Sequence, residues 1–284
     1  MIKVMKKFII SLSVLALGFV SSCQQEDLVN ESSQSKSSIE VKASLEEQTT
    51  SRTQLGEGYK VLWSENDAIH VFGSEKGKAK YGIKEAGKPD GVFGEIAGDI
   101  DWLGGNEKYI GVYPYLENTK FGKSENGFVI ETVIPTKQNF IAGSFDKDAA
   151  PMVSVSEDND FAFKNASSII IVPLKGEAKI LSATLKSENK IAGAATISVN
   201  EANGWTPSVD VTNGENMVVV SCGGGVDLKD EATNFVFVLA PSTGEYEDLT
   251  ITFEDSDDNE YKIDLPKREY SRSGSFTLKE KTFN

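Results

Sequence analysis

The chain has 284 residues, with 29 Lys and Arg against 43 Asp and Glu, one histidine and two cysteines. A formal net charge of −14 disfavours nucleic acid and bare anionic lipid as partners, because phosphate binding needs clustered Lys and Arg. A single His with two Cys leaves little material for a His-based triad and none for a clustered His/Cys metal site, so no metal is expected.

The chain starts MIKVMKKFIISLSVLALGFVSS: Lys3, Lys6 and Lys7, an apolar run from Phe8 to Val20, then Ser21 and Ser22. This layout predicts a secretory signal over residues 1–22. The run is shorter than the ~20 residues that cross a hydrocarbon core as a helix, which disfavours a permanent transmembrane segment. The following VSSC resembles the lipobox of bacterial lipoproteins, which implies an acyl lipid on Cys23 and a mature chain that begins there. QQED, next in line, resembles the acidic signal that carries Bacteroidetes lipoproteins to the outer leaflet of the outer membrane; the implied location is surface-exposed and lipid-anchored. Loss of residues 1–22 removes three lysines and no acid, leaving 26 basic residues against 43 acidic ones and a net charge of −17. Cys222 then has no partner for an intramolecular disulfide, and cohesion must come from apolar cores. Apart from the acyl lipid no cofactor is expected.

Residues 23–38, polar and serine-rich beyond the cysteine, read as a flexible linker. SIEVKASL then alternates, with Ile39, Val41, Ala43 and Leu45 on one side and Glu40, Lys42 and Ser44 on the other, as in a half-buried strand. Similar stretches follow between turn residues, among them YKVLW, AIHVF, AKYGI, KYIGVYPY, FVIETVI, SIIIVPL, KILSATLKS, MVVVSC, NFVFVLA, DLTITF and EYKIDL. Roughly seventeen short strands without an amphipathic helix indicate an all-β protein of sandwich or barrel type. The number suits two sandwiches, 39–157 and 158–284, with the border at the acidic turn of SVSEDNDFAFKN.

Candidates for chemistry have bland competitors. His70, inside AIHVF, is expected to be a packed strand residue on the face opposite Ile69 and Val71. SCGGGVD lacks the Lys-Ser/Thr and the helix of a phosphate cradle, and reads as a glycine-rich loop after the MVVVSC strand. The acidic run from Glu254 to Glu260 offers Asp255, Asp257, Asn259 and Glu260 as calcium ligands, but it lies between two alternating strands, where Asp and Asn are ordinary turn residues. Trp63, Trp102 and Trp205 are candidates for stacking on sugar rings, with core packing as the commoner fate. No catalytic residue is assigned and no enzymatic activity is expected.

TSRTQLGEGYKVLWSENDAIHVF, with its Thr-Arg pair, Trp, polar turn with Asp and Val-Phe strand, resembles the fimbrillin superfamily of Bacteroidales, lipoprotein subunits of type V pili. KYIGVYPY, IPTKQNF and FAFKNASSIIIVPLKG are similar to further segments of that family, in order, from about Ile39 onward. The resemblance implies two tandem transthyretin-like β-sandwiches that assemble by strand donation, a protease cutting after a basic residue beyond the first strand. Arg52, one of three arginines in the chain, is the candidate cut, giving a new start at Thr53 and releasing lipid, linker and the strand of Ile39, Val41, Ala43 and Leu45. At the other end, SGSFTLKEKTFN carries only a short apolar comb, Phe276 and Leu278, for a donor strand. The expectation is therefore an accessory tip or anchor subunit in adhesion, with other pilus subunits and a surface glycan or protein as partners. The alternative is an outer-membrane glycan-binding lipoprotein of a polysaccharide-uptake system, to be separated by the exposure of the three tryptophans.

Overall fold

The computed structural model describes residues 39–46, 62–103, 105 and 107–283. The signal and linker segments, 1–22 and 23–38, lie outside the described residues, as do Cys23, Arg52 and Thr53.

Among the described residues the protein is all β, with two single-turn 3-10 helices and no α-helix. In chain order the strands are β1 (Val41–Leu45), β2 (Ala68–Gly73), β3 (Lys78–Ile83), β4 (Gly91–Asp99), β5 (Tyr109–Tyr113), β6 (Lys120–Ser124), β7 (Gly127–Ile134), β8 (Lys137–Asn139), β9 (Met152–Ser156), β10 (Asp160–Asn165) and β11 (Ser168–Gly176). They continue with β12 (Lys179–Lys186), β13 (Gly193–Asn200), β14 (Ser208–Asp210), β15 (Met217–Asp227), β16 (Thr233–Leu239), β17 (Glu245–Tyr246), β18 (Thr250–Asp255), β19 (Glu260–Asp264), β20 (Arg268–Glu269), β21 (Ser275–Thr277) and β22 (Lys281–Phe283).

Seven strands close into a barrel in the order β1-β10-β9-β5-β2-β3-β4. Its interior is aromatic: Trp63, Tyr81, Phe93, Tyr109, Phe161 and Phe163 are all buried there. Gly111 on β5 makes room for this, since a Cβ at that position would stand 2.8 Å from the rings of Phe161 and Phe163. The later strands build a sandwich, β16-β11-β21 facing β19-β18-β12-β15-β8, around Ile170, Val172, Leu185, Phe235, Phe237 and Phe253. The apolar run of β11 is buried on both faces because Ile169 and Ile171, pointing away from that core, are covered by Phe145, Ala149 and Ala150.

A further sheet, β14-β13-β7-β6, ties the halves together. Antiparallel pairing of β7 with β13 runs from Gly127↔Asn200 to Ile134↔Gly193. On β7, Phe128 and Ile130 pack with Phe72, Ile110 and Val112 of the barrel wall, while Ile134, further along the same face, enters the sandwich core.

The expected border at 157/158 falls within the barrel. Its acidic turn is a hairpin turn held by Asp158, whose carboxylate accepts from the Asp160 amide at 2.9 Å, and β10 beyond it is the parallel partner of β1. The YKVLW strand also differs: its described end, Leu62 and Trp63, lies outside any strand, with Trp63 turned into the barrel. The glycine-rich SCGGGVD is part of β15 and not a loop. Gly223 (φ 55°) and Gly225 (φ 96°) form a bulge there, matched by a register shift opposite Ile180 and Ser182, and a Cβ on Gly225 would stand 2.3 Å from the Lys179 side chain.

Candidate strand slot and surface cleft

Strand β1 closes the barrel. It runs antiparallel to β4 (Val41↔Phe93, Ala43↔Gly91) and parallel to β10 (Ala43↔Phe161, Leu45↔Phe163). Val41 and Ala43 are buried among the barrel aromatics and Leu45 is half-buried against them, as the alternation predicts. Ile39 departs from the comb: it precedes the strand and is exposed. Burying a Val side chain is worth about 1.5–3 kcal/mol, so five residues with two buried apolar side chains form a modest plug, supplemented at its ends. At the front the Asn159 side-chain Nδ2 donates to the Glu40 carbonyl at 2.7 Å, and Lys84 pairs with the Glu40 carboxylate.

At the back, Glu46 holds a two-point contact with Arg272: Nη1 to Oε2 at 2.6 Å and Nη2 to Oε1 at 3.0 Å. Arg272 also donates to the Asn165 carbonyl at 2.7 Å, and the Glu46 amide donates to Phe163 at 2.9 Å. Partial burial works against the Glu46 charge, but the Arg272 guanidinium outweighs it and holds the carboxyl below its usual range. A side chain at the end of the first strand is thus bound to a loop just before β21.

The polar turn after Trp63 is organised by buried Asp67. It accepts from the Ser64 amide at 2.7 Å and the Tyr113 hydroxyl at 3.1 Å, and Lys147 lies 3.2 Å away. Burial, then the Asp67 charge, pushes the Tyr113 phenol far up. Trp63 is 2% exposed and meets Phe93, Tyr113 and Phe163 edge-on, so it is a core residue. Trp102 is half-buried over Tyr109 at 4.3 Å, with its Nε1 donating to the Tyr81 hydroxyl at 3.3 Å.

Trp205 is half-buried too, but it stacks on Phe128 at 5.6 Å and 20° and borders a cleft of about 840 Å³. Its φ of 60° is a left-handed conformation that costs a bulky residue of order 1–3 kcal/mol and persists only where the surroundings enforce it. Here they do. The Trp205 amide donates to the Asn200 carbonyl at 2.9 Å, Asn200 Oδ1 accepts from the Asn203 amide at 3.0 Å, and Lys164 Nζ donates to the Gly204 carbonyl at 2.5 Å.

The other candidates sit in structural roles. His70 is buried between Tyr115 (4.0 Å) and Phe72 (5.2 Å), and its Nε2–H donates to the Leu116 carbonyl at 2.8 Å. Burial, aided by the charges of Lys78 and Lys80, lowers its pKa. In the acidic run, Asp255 closes the β18–β19 turn, accepting from the amides of Asp257 and Asn259 at 2.9 and 2.8 Å; no group of metal-ligating side chains occurs among the described residues. Nor is any helix among them long and apolar enough to cross a membrane. Sequence reasoning missed Glu46, Arg272 and the Asn200 loop; only the adjacency of Glu46 to an alternating strand could have drawn attention to the first.

The fold is shared with solved structures from Bacteroides species. The chain is similar to a structure from Bacteroides ovatus described as a "putative cell adhesion protein", at 15% identity and a TM-score of 0.52 over 87% of this chain and 92% of that one. A second of the same description, from Bacteroides uniformis, gives 12% identity and a TM-score of 0.49 over 86% and 93%. A fimbrial protein from Bacteroides ovatus gives 10% and 0.31 over 85% and 50%. No family model and no curated protein matches the chain.

Proposed function

We propose that this chain is a cell-surface fimbrial lipoprotein of the type V pilus kind, an accessory tip or anchor component in adhesion, with no catalytic role. The observation that carries the reading is the place of β1: a single short strand at the front of the barrel, bonded on both edges, and joined to the rest through the segment that contains Arg52. A cut after Arg52 separates β1 covalently from the barrel; its departure would bare the edges of β4 and β10 for the strand of another subunit. The shared fold with the Bacteroides ovatus adhesion protein is consistent with this. On this reading the two transthyretin-like modules implied by the sequence resemblance are an interlocked pair, the acyl lipid on Cys23 fixes the uncut form to the outer membrane, and other pilus subunits are the partners.

The tip or anchor assignment is supported by the C-terminal segment. β21 and β22 pair in parallel with β11, and Leu278 and Phe283 are buried in the molecule's own sandwich core, so this segment is engaged at home. The test is to treat the lipid-free chain with an arginine-specific protease, sequence the new N-terminus and follow assembly. A start at Thr53 with capped or dimeric products is expected; no cut at Arg52 removes strand exchange, and long self-polymerised fibres remove the capping role. For the uptake-protein alternative, three buried tryptophans weaken the reading and two coplanar exposed rings raise it; Trp63 is buried and Trp102 and Trp205 are each half-buried against different cores, so no exposed pair favours it.

A further inference from the structure

The geometry points to the cleft beside Trp205 as a binding site for a neutral hexopyranose oligosaccharide. A sugar ring presents an apolar C–H face and a rim of hydroxyls, each both donor and acceptor, so its receptor needs a fixed aromatic surface with mixed polar groups beside it. Trp205 supplies the first. Its ring is backed by Phe128, and its loop is locked by the Asn200, Asn203 and Lys164 bonds, so little freedom is lost when a ligand stacks on it.

The polar groups stand on neighbouring strands. Glu75 follows β2, Lys123 lies on β6, and the two make an ion pair at 2.7 Å within the cleft lining, with Asn126 on the adjoining turn. An acceptor beside a donor at this spacing suits two vicinal hydroxyls, one giving to the carboxylate and the other accepting from the ammonium. The volume of about 840 Å³ is within the range of about 300–1,000 Å³ usual for small-molecule sites. Charge decides which sugars. Glu75, Glu125 and Glu201 outnumber Lys108 and Lys123 in the lining, on a chain already strongly acidic, so uronate, sulfate or sialate groups are repelled.

The inference does not rest on strand exchange, which is read by N-terminal sequencing and assembly. Its test is a tryptophan-emission titration and saturation-transfer NMR on the chain from residue 23 with Cys23→Ser, using cellotetraose, mannotetraose and N,N′,N″,N‴-tetraacetylchitotetraose, with tetragalacturonate as the acidic control. At least one neutral tetrasaccharide is expected to bind at millimolar concentration. Trp205→Ala should weaken it about tenfold or more, Trp205→Phe by only about threefold, and Lys123→Met by about fivefold, while tetragalacturonate stays unbound. Lys123→Met alters an exposed side chain and so decides the matter even where Trp205→Ala does not fold. Failure of all three neutral probes, wild-type affinity in Trp205→Ala or Lys123→Met, or equal binding of tetragalacturonate would overturn the assignment.

Discussion

Glu46 and Arg272, 226 positions apart in the chain, meet in a two-point contact that fastens the end of the first strand to the loop before β21. Charge-assisted bidentate pairs of this kind are among the stronger polar contacts, and this one is only partly exposed, at 27% and 22% of the side chains. Arg272→Met should cost about 1–2 kcal/mol in urea unfolding and speed amide exchange across Val41–Leu45 more than elsewhere. Because the Glu46 pKa is lower folded than unfolded, this stabilisation is present above the unfolded carboxylate value and is lost as pH falls through the folded one. Uniform exchange over the whole barrel in the variant would show that the contact does not act on β1.

The left-handed backbone at Trp205 inverts a familiar ranking. Both Trp205→Gly and Trp205→Ala lose the Phe128 stacking, but only Ala keeps a Cβ at φ 60°. The Gly variant should be the more stable by about 1 kcal/mol, measured by thermal or urea unfolding.

His70 makes stability pH-dependent in a second window. With its folded pKa lowered, the unfolded chain binds the proton first, so stability declines as pH falls through the ordinary imidazole value near 6.5. His70→Phe should flatten the stability profile there, whatever it costs through the lost bond to Leu116. An unchanged slope between pH 7 and 5 would assign the dependence to carboxylates.

Cys222, buried in the sandwich core, has its thiol pushed up to about 11 by burial. Native protein carrying Cys23→Ser should react with a thiol reagent at pH 8 orders of magnitude more slowly than the same protein in urea. Rapid labelling without unfolding would mean that β15 opens locally.

Phe283 anchors the last strand, buried against Tyr261 at 5.4 Å. Phe283→Ala should lower unfolding free energy by about 3 kcal/mol, as for a core aromatic; a change under 0.5 kcal/mol would mark the segment as dispensable and free to leave.

Most strands were legible because their burial is one-sided. β7 and β13 alternate in the sequence as they do in the fold, and β11 reads as an unbroken apolar run because each face has its own cover. Short strands such as β6, β8 and β14 escaped notice, since Lys120–Ser124, Lys137–Asn139 and Ser208–Asp210 have few apolar side chains and owe their form to the ladder beside them. The bulge at Gly223 and Gly225 reads as a loop because glycine reports backbone freedom and not whether pairing continues. Tryptophan is visible in the sequence as a residue type, but only the paths of β7 and the Asn200 loop decide that Trp205 borders a cleft while Trp63 is buried in the barrel.

The eight-rung seam between β7 and β13 also couples the two halves during folding. Until β13 docks, one side of β7 has no neighbour and Phe72, Ile110 and Val112 lack the cover of Ile197 and Val199. The front half therefore waits for the back half before it can set. In that interval the open edge of β7 offers itself to the same strand of another copy.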